Sequence, residues 1–156
     1  MNIEQIDIEQ IDPDEAFRRM QEGAVFLDVR STLEFARGHA AGAVNVPLLH
    51  ADPAGMVPNE EFTAVCMVNF PPDTLLVVGC AMGGRSQRAC EILAASGFTR
   101  LANVQGGFSG ARDRAGRVMV EGWVDRGLPV AETPAPGCDY AAMARKLAQT
   151  LDPSSR

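Results

Sequence analysis

Two uninterrupted apolar runs, Ala24-Val25-Phe26-Leu27 and Leu75-Leu76-Val77-Val78-Gly79, set the strongest limit on what this chain can fold into. Neither alternates apolar with polar residues, so each must bury both faces, the condition of an interior strand in a parallel sheet. A helix-starting pattern follows each run. After the first, Ser31-Thr32-Leu33-Glu34 reads as a capping box opening a short helix through Arg37, stopped by Gly38. After the second, residues 85–96 place Ala89, Ile92, Leu93 and Ser96 on one face, with Gly97 as the stop. Strands alternating with helices predict an α/β fold with a mainly parallel sheet.

The remaining pattern agrees. A short strand is predicted over 6–9, then a helix with Asp12 as N-cap, Pro13 at its first position and Glu15 closing a capping box. A brief strand at 44–46 ends at Pro47, and a last strand covers 101–104. Residues 48–73, rich in Pro, Asp and Asn with one helical stretch over 60–68, are expected to cover an edge. Residues 112–122 read as a polar turn or hairpin around Ala115-Gly116-Arg117. The Pro-rich link Thr133-Pro134-Ala135-Pro136-Gly137 precedes a final helix whose Tyr140, Met143, Leu147 and Leu151 share a face. The expected organisation is one domain over 1–131, with 132–156 appended as link and helix.

Composition excludes several function classes. At net charge −6, with Lys146 the one lysine among 14 basic residues, the chain is unsuited to nucleic acid or an anionic membrane as a bulk partner. No run reaches the length of a membrane span, and the acidic start Met1-Asn2-Ile3-Glu4-Gln5 lacks the pattern of a signal peptide, so a cytoplasmic location is expected. Cys66, Cys80, Cys90 and Cys138 show no CxxC pairing and are too few for a disulfide framework, which fits free thiols in a reducing compartment. Two distant histidines give no metal site, and no cofactor is expected.

The chemistry concentrates in Cys80-Ala81-Met82-Gly83-Gly84-Arg85-Ser86. A cysteine at the end of a buried strand, before a glycine-bearing loop and a helix start, faces backbone N–H groups and the positive end of a helix dipole. Such a place favours a thiolate, and equally a persulfide whose outer sulfur is negative. The reading from the residues is a Cys80 nucleophile cradled by the amides of Met82, Gly83, Gly84 and Arg85, with Gly83 and Gly84 supplying backbone angles other residues resist. A buried structural cysteine is the alternative.

Further motifs accompany this loop. Leu27-Asp28-Val29-Arg30, then Glu34-Phe35, then Gly38-His39-Ala40-Ala41-Gly42-Ala43-Val44-Asn45-Val46-Pro47 resemble the N-terminal signature of the rhodanese-like family. The Cys80 loop resembles that family's active-site loop, and Gly106-Gly107-Phe108, with Gly127-Leu128-Pro129-Val130 downstream, resembles its closing element. The motifs run in order over residues 25–130. The resemblance implies a central five-stranded, mainly parallel sheet flanked by helices on both faces. It also implies a sulfurtransferase that takes sulfane sulfur from a donor such as thiosulfate onto Cys80 and passes it to a thiol, a protein acceptor or, in vitro, cyanide. Cys80 is then the nucleophile, and Ala81, Met82, Gly83, Gly84 and Arg85 the substrate-binding cradle. Arg85 would neutralise an anionic donor or brace the loop.

Four residues separate Cys80 from Arg85, one fewer than in related phosphatases and arsenate reductases, and the smaller ring suits a sulfur atom better than a tetrahedral oxyanion. Two departures from the family pattern stand out: Ala81 and Met82 are apolar where thiosulfate users often carry polar or basic side chains, and residues 109–122 intervene before Trp123 like an inserted hairpin. A phosphatase-like or arsenate-reductase-like enzyme and a non-catalytic binding module stay open as other readings.

The other candidates read as structural. Asp28, Arg30 and Glu34 suit capping and ion pairs that brace loops, and His39 a backbone-bonded turn. His50 is expected at the surface, Arg88 on an exposed helix face, Cys90 in the core, and Cys66 packed by Phe62 and Phe70. Cys138 would accept sulfur from Cys80, or form a disulfide with it, if the tail folds back.

Overall fold

A computed structural model describes residues 7–151. In chain order the elements are β1 (Glu9–Ile11), α1 (Pro13–Gln21), β2 (Val25–Asp28), α2 (Thr32–Ala36), β3 (His39–Ala40), β4 (Val44–Asn45), β5 (Leu49–Asp52) and β6 (Gly55–Pro58). There follow α3 (Phe62–Asn69), β7 (Leu76–Gly79), α4 (Gly84–Ala95), β8 (Leu101–Val104), β9 (Ala111–Arg112), β10 (Val118–Val120), β11 (Val130–Ala131) and α5 (Tyr140–Leu151).

The five-stranded sheet has the order β1-β8-β7-β2-β4, and every pairing within it is parallel. The two apolar runs are its middle, β7 lying between β8 and β2. Successive residues point to opposite faces. Leu27, Leu76 and Val78 join a core with Phe62, Val65 and Cys66 of α3, Ala89, Cys90 and Leu93 of α4, and Met143 and Leu147 of α5. Phe26, Val77, Ala102 and Val104 face the other way, toward Ala16, Phe17 and Met20 of α1, Phe35 of α2, and Trp123. Each large side chain buried in this way contributes about 1.5–3 kcal/mol, so the two apolar layers fix which way every strand faces.

Local signals define several boundaries. Ser31 accepts from the Glu34 N–H while the Glu34 carboxylate reaches back to the Ser31 N–H, a complete capping box. Asp12 caps α1 by accepting from the Glu15 N–H at 2.8 Å, but the Glu15 carboxylate binds Arg18 and Arg19 instead of closing a box. The first strand lies at Glu9–Ile11, a shift toward the C-terminus from 6–9 because its register is set by pairing Glu9 with Ala102 of β8; Ile6 itself lies outside the described residues.

Two antiparallel hairpins decorate the sheet. The expected one joins β9 to β10, and a second, β5 with β6, occupies the stretch read only as edge cover. Helix α5 docks against α3: Asn69 donates to the Met143 carbonyl at 3.0 Å, and Met143 and Leu147 are buried while Leu151 stays exposed. The tail is also tied to the sheet, because the Asn45 N–H of β4 donates to the Cys138 carbonyl at 2.9 Å.

Candidate active site

The C-terminal ends of parallel strands face one edge of the sheet, where open α/β folds place their ligands. Cys80 stands there, immediately after β7. Gly79 makes the approach possible: a Cβ on it would lie 2.6 Å from Phe26 Cζ. The Cys80 side chain is only 3% exposed, and its Sγ accepts from the Gly83 N–H at 3.0 Å. Gly83 carries φ +123°, a backbone that L side chains resist, and it leads directly into α4. Gly84 does not share that role: it is the first helical residue and has no neighbour within 4 Å of a would-be Cβ. The sulfur thus sits at the start of α4, against an N–H donor and the positive end of the helix.

The loop is clamped from behind by Gly106-Gly107-Phe108. The Phe108 N–H donates to the Cys80 carbonyl at 2.7 Å and the Ser109 N–H to the Ala81 carbonyl at 2.9 Å. A Cβ on Gly107 would lie 2.3 Å from the Cys80 carbonyl oxygen, so the approach of these two segments requires glycine. Arg30 supports Phe108 in turn, its guanidinium carbon 4.4 Å from the ring centroid while its nitrogens bind Asp28 and the Gly38 carbonyl. Trp123 fills the opposite face, fully buried between Phe17 and Phe26, with its indole N–H on the Pro129 carbonyl. The hairpin before it therefore displaces Trp123 in sequence and not out of the core.

Arg85 braces the loop. Its two terminal nitrogens donate to the two Glu34 oxygens at 2.8 and 2.9 Å, bridging α4 to α2 across 51 residues. Arg85 and Ser31 together hold the Glu34 carboxyl far down, at about 2, and the same contact raises Arg85. The fork that would greet an anion is already filled by a carboxylate. Met82 on the loop is exposed and apolar, as are Val118, Met119 and Val120 on the β9–β10 hairpin.

The other sequence candidates fall where packing puts them. His39 holds the Phe35 carbonyl through Nδ1 at 2.8 Å and stacks on the Phe35 ring. His50 is half-buried against Tyr140, a correction to the surface position expected from its polar surroundings, because α5 folds over it. Arg88 is exposed, 3.8 Å from Glu91. Cys66 and Cys90 are fully buried, and desolvation pushes each thiol up to about 12. Cys138 lies beyond edge strand β4, and β7 is two strands further in, so strand spacing alone separates it from Cys80 by roughly 14 Å. A direct disulfide or sulfur hand-over between them is out of reach in this arrangement.

Three further residues are joined to the nucleophile: Ser86, which closes the 80–86 motif without a role assigned to it there, and Asn103 and Gln10, which belong to no motif. Ser86 Oγ lies 3.4 Å from Cys80 Sγ, Asn103 accepts from Ser86, and Gln10 accepts from Asn103. Asn103 had one readable sign, an amide inside the otherwise apolar strand Leu101-Ala102-Asn103-Val104.

A family model described as rhodanese-like domain matches residues 12–113. The chain belongs to the rhodanese-like domain family. Two of its relatives are from Arabidopsis thaliana: chloroplastic thiosulfate sulfurtransferase 16, 36% identical over 69% of this chain and 79% of the relative, and thiosulfate sulfurtransferase 18, 34% identical over 80% and 84%. Among solved rhodanese-like neighbours, the crystal structure of Rv0390 from M. tuberculosis superposes with a TM-score of 0.69 at 28% identity, covering 82% of this chain and all of that one (100%). The rhodanese-like fold accounts for the all-parallel sheet and for helices on both of its faces. Among the described residues no helix is long and apolar enough to cross a membrane.

Proposed function

We propose that this rhodanese-like protein is a sulfurtransferase working through a persulfide on Cys80. The observation that carries the reading is the Cys80 sulfur held at the start of α4 against the Gly83 N–H, inside a loop of four residues between Cys80 and Arg85. In the loading step the Cys80 thiolate attacks the outer sulfur of a donor such as thiosulfate. The new S–S bond forms as the donor's S–S bond breaks, and sulfite leaves with the electron pair. In the release step a thiophilic acceptor, a thiol or cyanide, attacks the outer sulfur and the electron pair returns to Cys80. Ala81, Met82, Gly83, Gly84 and Arg85 surround the transferred atom, Gly83 by its N–H and Arg85 by holding the loop closed. The names of the two plant relatives support the reaction class.

Because Glu34 takes a hydrogen bond from each terminal nitrogen of Arg85 and offsets its charge, a dianionic donor meets backbone N–H, the helix dipole and an already paired guanidinium. Thiosulfate is therefore a weak donor, and an apolar-flanked persulfide, small or on a protein, suits the Met82 rim better. Free thiols at all four cysteines fit a reducing, cytoplasmic setting. The test is the intact mass of parent and Cys80→Ser protein after incubation with thiosulfate, mercaptopyruvate or a polysulfide, followed by cyanide. Gain of one sulfur by the parent alone, released by cyanide as thiocyanate, is the expected result. No gain from any of these donors overturns the reading and leaves a binding module.

A further inference from the structure

The Ser86 hydroxyl is fully buried, and its single proton has three acceptors within reach: Asn103 Oδ1 at 2.5 Å, the Gly83 carbonyl at 3.1 Å and Cys80 Sγ at 3.4 Å. Which of them receives it is decided outside the loop. Gln10 Nε2 donates to the Ile8 carbonyl at 3.1 Å, and a carbonyl oxygen can face only the NH2 end of an amide. The other end of Gln10, Oε1, accepts from Asn103 Nδ2 at 2.8 Å. Asn103 Oδ1 is thereby turned toward Ser86. A second anchor agrees: Gln87 Oε1 accepts from Gln10 Nε2 at 2.6 Å while Gln87 Nε2 donates to Glu91 at 3.4 Å. The amide chain has one direction, and its last acceptor takes the Ser86 proton. An oxygen lone pair is left facing the Cys80 sulfur.

We propose that Asn103 and Gln10 are positioning residues of the transfer reaction that hold the Ser86 proton off the Cys80 sulfur, favouring attack by the thiolate over its departure. This rests on the persulfide reading above. A hydrogen bond donated to a thiolate stabilises it, which weakens it as a nucleophile and improves it as a leaving group. Loading uses Cys80 in the first role and release in the second. With Ser86 turned away, the Gly83 N–H is the donor on the sulfur and the balance tilts toward loading. Neither Asn103 nor Gln10 touches the reacting atoms; both act through Ser86.

The charged and titratable groups around Cys80 are Arg85 of α4, paired with Glu34 of α2, Asp28, paired with Arg30 after β2, and Cys90 within α4. Strand β8 and the segment after it bring Asn103, Gly107 and Phe108, none of them charged. Replacing Asn103 or Gln10 leaves all of these charges in place.

The test compares parent and Asn103→Leu by the rate of Cys80 alkylation with iodoacetamide against pH, read on the Cys80 peptide by mass spectrometry. Persulfide loading and cyanide discharge are timed separately. Without Asn103 the Ser86 proton is shared between the Gly83 carbonyl and the sulfur, and its share on the sulfur moves the alkylation profile to lower pH and lowers its plateau, about threefold for each pH unit moved. The two profiles cross, loading slows and discharge quickens. Simple loosening of the site lowers every rate without a crossing. In a Ser86→Ala background, Asn103→Leu shifts nothing. Should Asn103→Leu fail to fold, Gln10→Ala on the exposed edge strand frees Asn103 to turn and gives the same crossing at smaller amplitude. Profiles that do not cross, or an Asn103 effect that persists without Ser86, overturn the inference. Alkylation needs no sulfur donor, so a parent protein that never takes up sulfur refutes the transfer reading separately.

Discussion

Replacing Glu34 by glutamine removes the charge that fills the Arg85 fork, and its cost follows from the geometry of the pair. Two hydrogen bonds from Arg85, of 2.8 and 2.9 Å, together with those from Ser31 hold the Glu34 carboxyl at about 2, against an ordinary 4.5. At 1.36 kcal/mol per pH unit, that displacement sets a ceiling of about 3 kcal/mol. With side-chain exposures of 32% for Glu34 and 22% for Arg85, solvent screening reduces the expected loss to about 1–2 kcal/mol. The folded-state value is the depressed one, so the contribution is complete above the unfolded value near 4.5 and fades as pH falls toward about 2. Urea titrations of parent and Glu34→Gln should differ by that amount at neutral pH, differ equally at pH 5, and converge below. Kinetics supply a second sign. The released Arg85 becomes available to a dianion, so KM for thiosulfate falls severalfold while kcat declines with the loosened loop. A stability gap that stays flat into acid, or a KM that rises, would refute the assignment of Arg85 to Glu34.

Gly107→Ala should cost about 2–4 kcal/mol, since its φ of +55° disfavours a side chain and the new Cβ would meet the Cys80 carbonyl at 2.3 Å. Gly84→Ala, with open space and helical backbone, should leave stability within about 0.5 kcal/mol of the parent. Urea midpoints of the two variants check the contrast, and sulfur loading should fail in the first. Cys66 and Cys90, whose thiols are pushed up to about 12 by burial, should resist iodoacetamide in the folded protein at pH 8 and react only in urea. Peptide mapping decides this, and labelling of either before unfolding would contradict its place in the core.

What could be read from the sequence is what is local in it. The strands β2 and β7 announce themselves by unbroken apolarity, and the Ser31–Glu34 box is complete within four residues. The hairpin of β5 and β6 carried only a weak mark: Leu49-His50-Ala51-Asp52 alternates over just four residues, while Gly55-Met56-Val57-Pro58 does not alternate and leaves Met56 and Val57 exposed, so its pairing depends on neighbours more than on pattern. The nucleophile was legible for the same reason as the strands, because strand end, glycine and helix start are contiguous. Its control was not. Arg85 meets Glu34 across 51 residues and Asn103 meets Gln10 across 93, distances at which spacing carries no information. Only the cost of burying an amide leaves a trace, since Asn103, 4% exposed in an apolar strand, must be hydrogen-bonded by something. A polar residue that a parallel strand should not tolerate is thus a sequence-level pointer to a site, and here it leads through Ser86 to Cys80, whose sulfur accepts the Gly83 N–H.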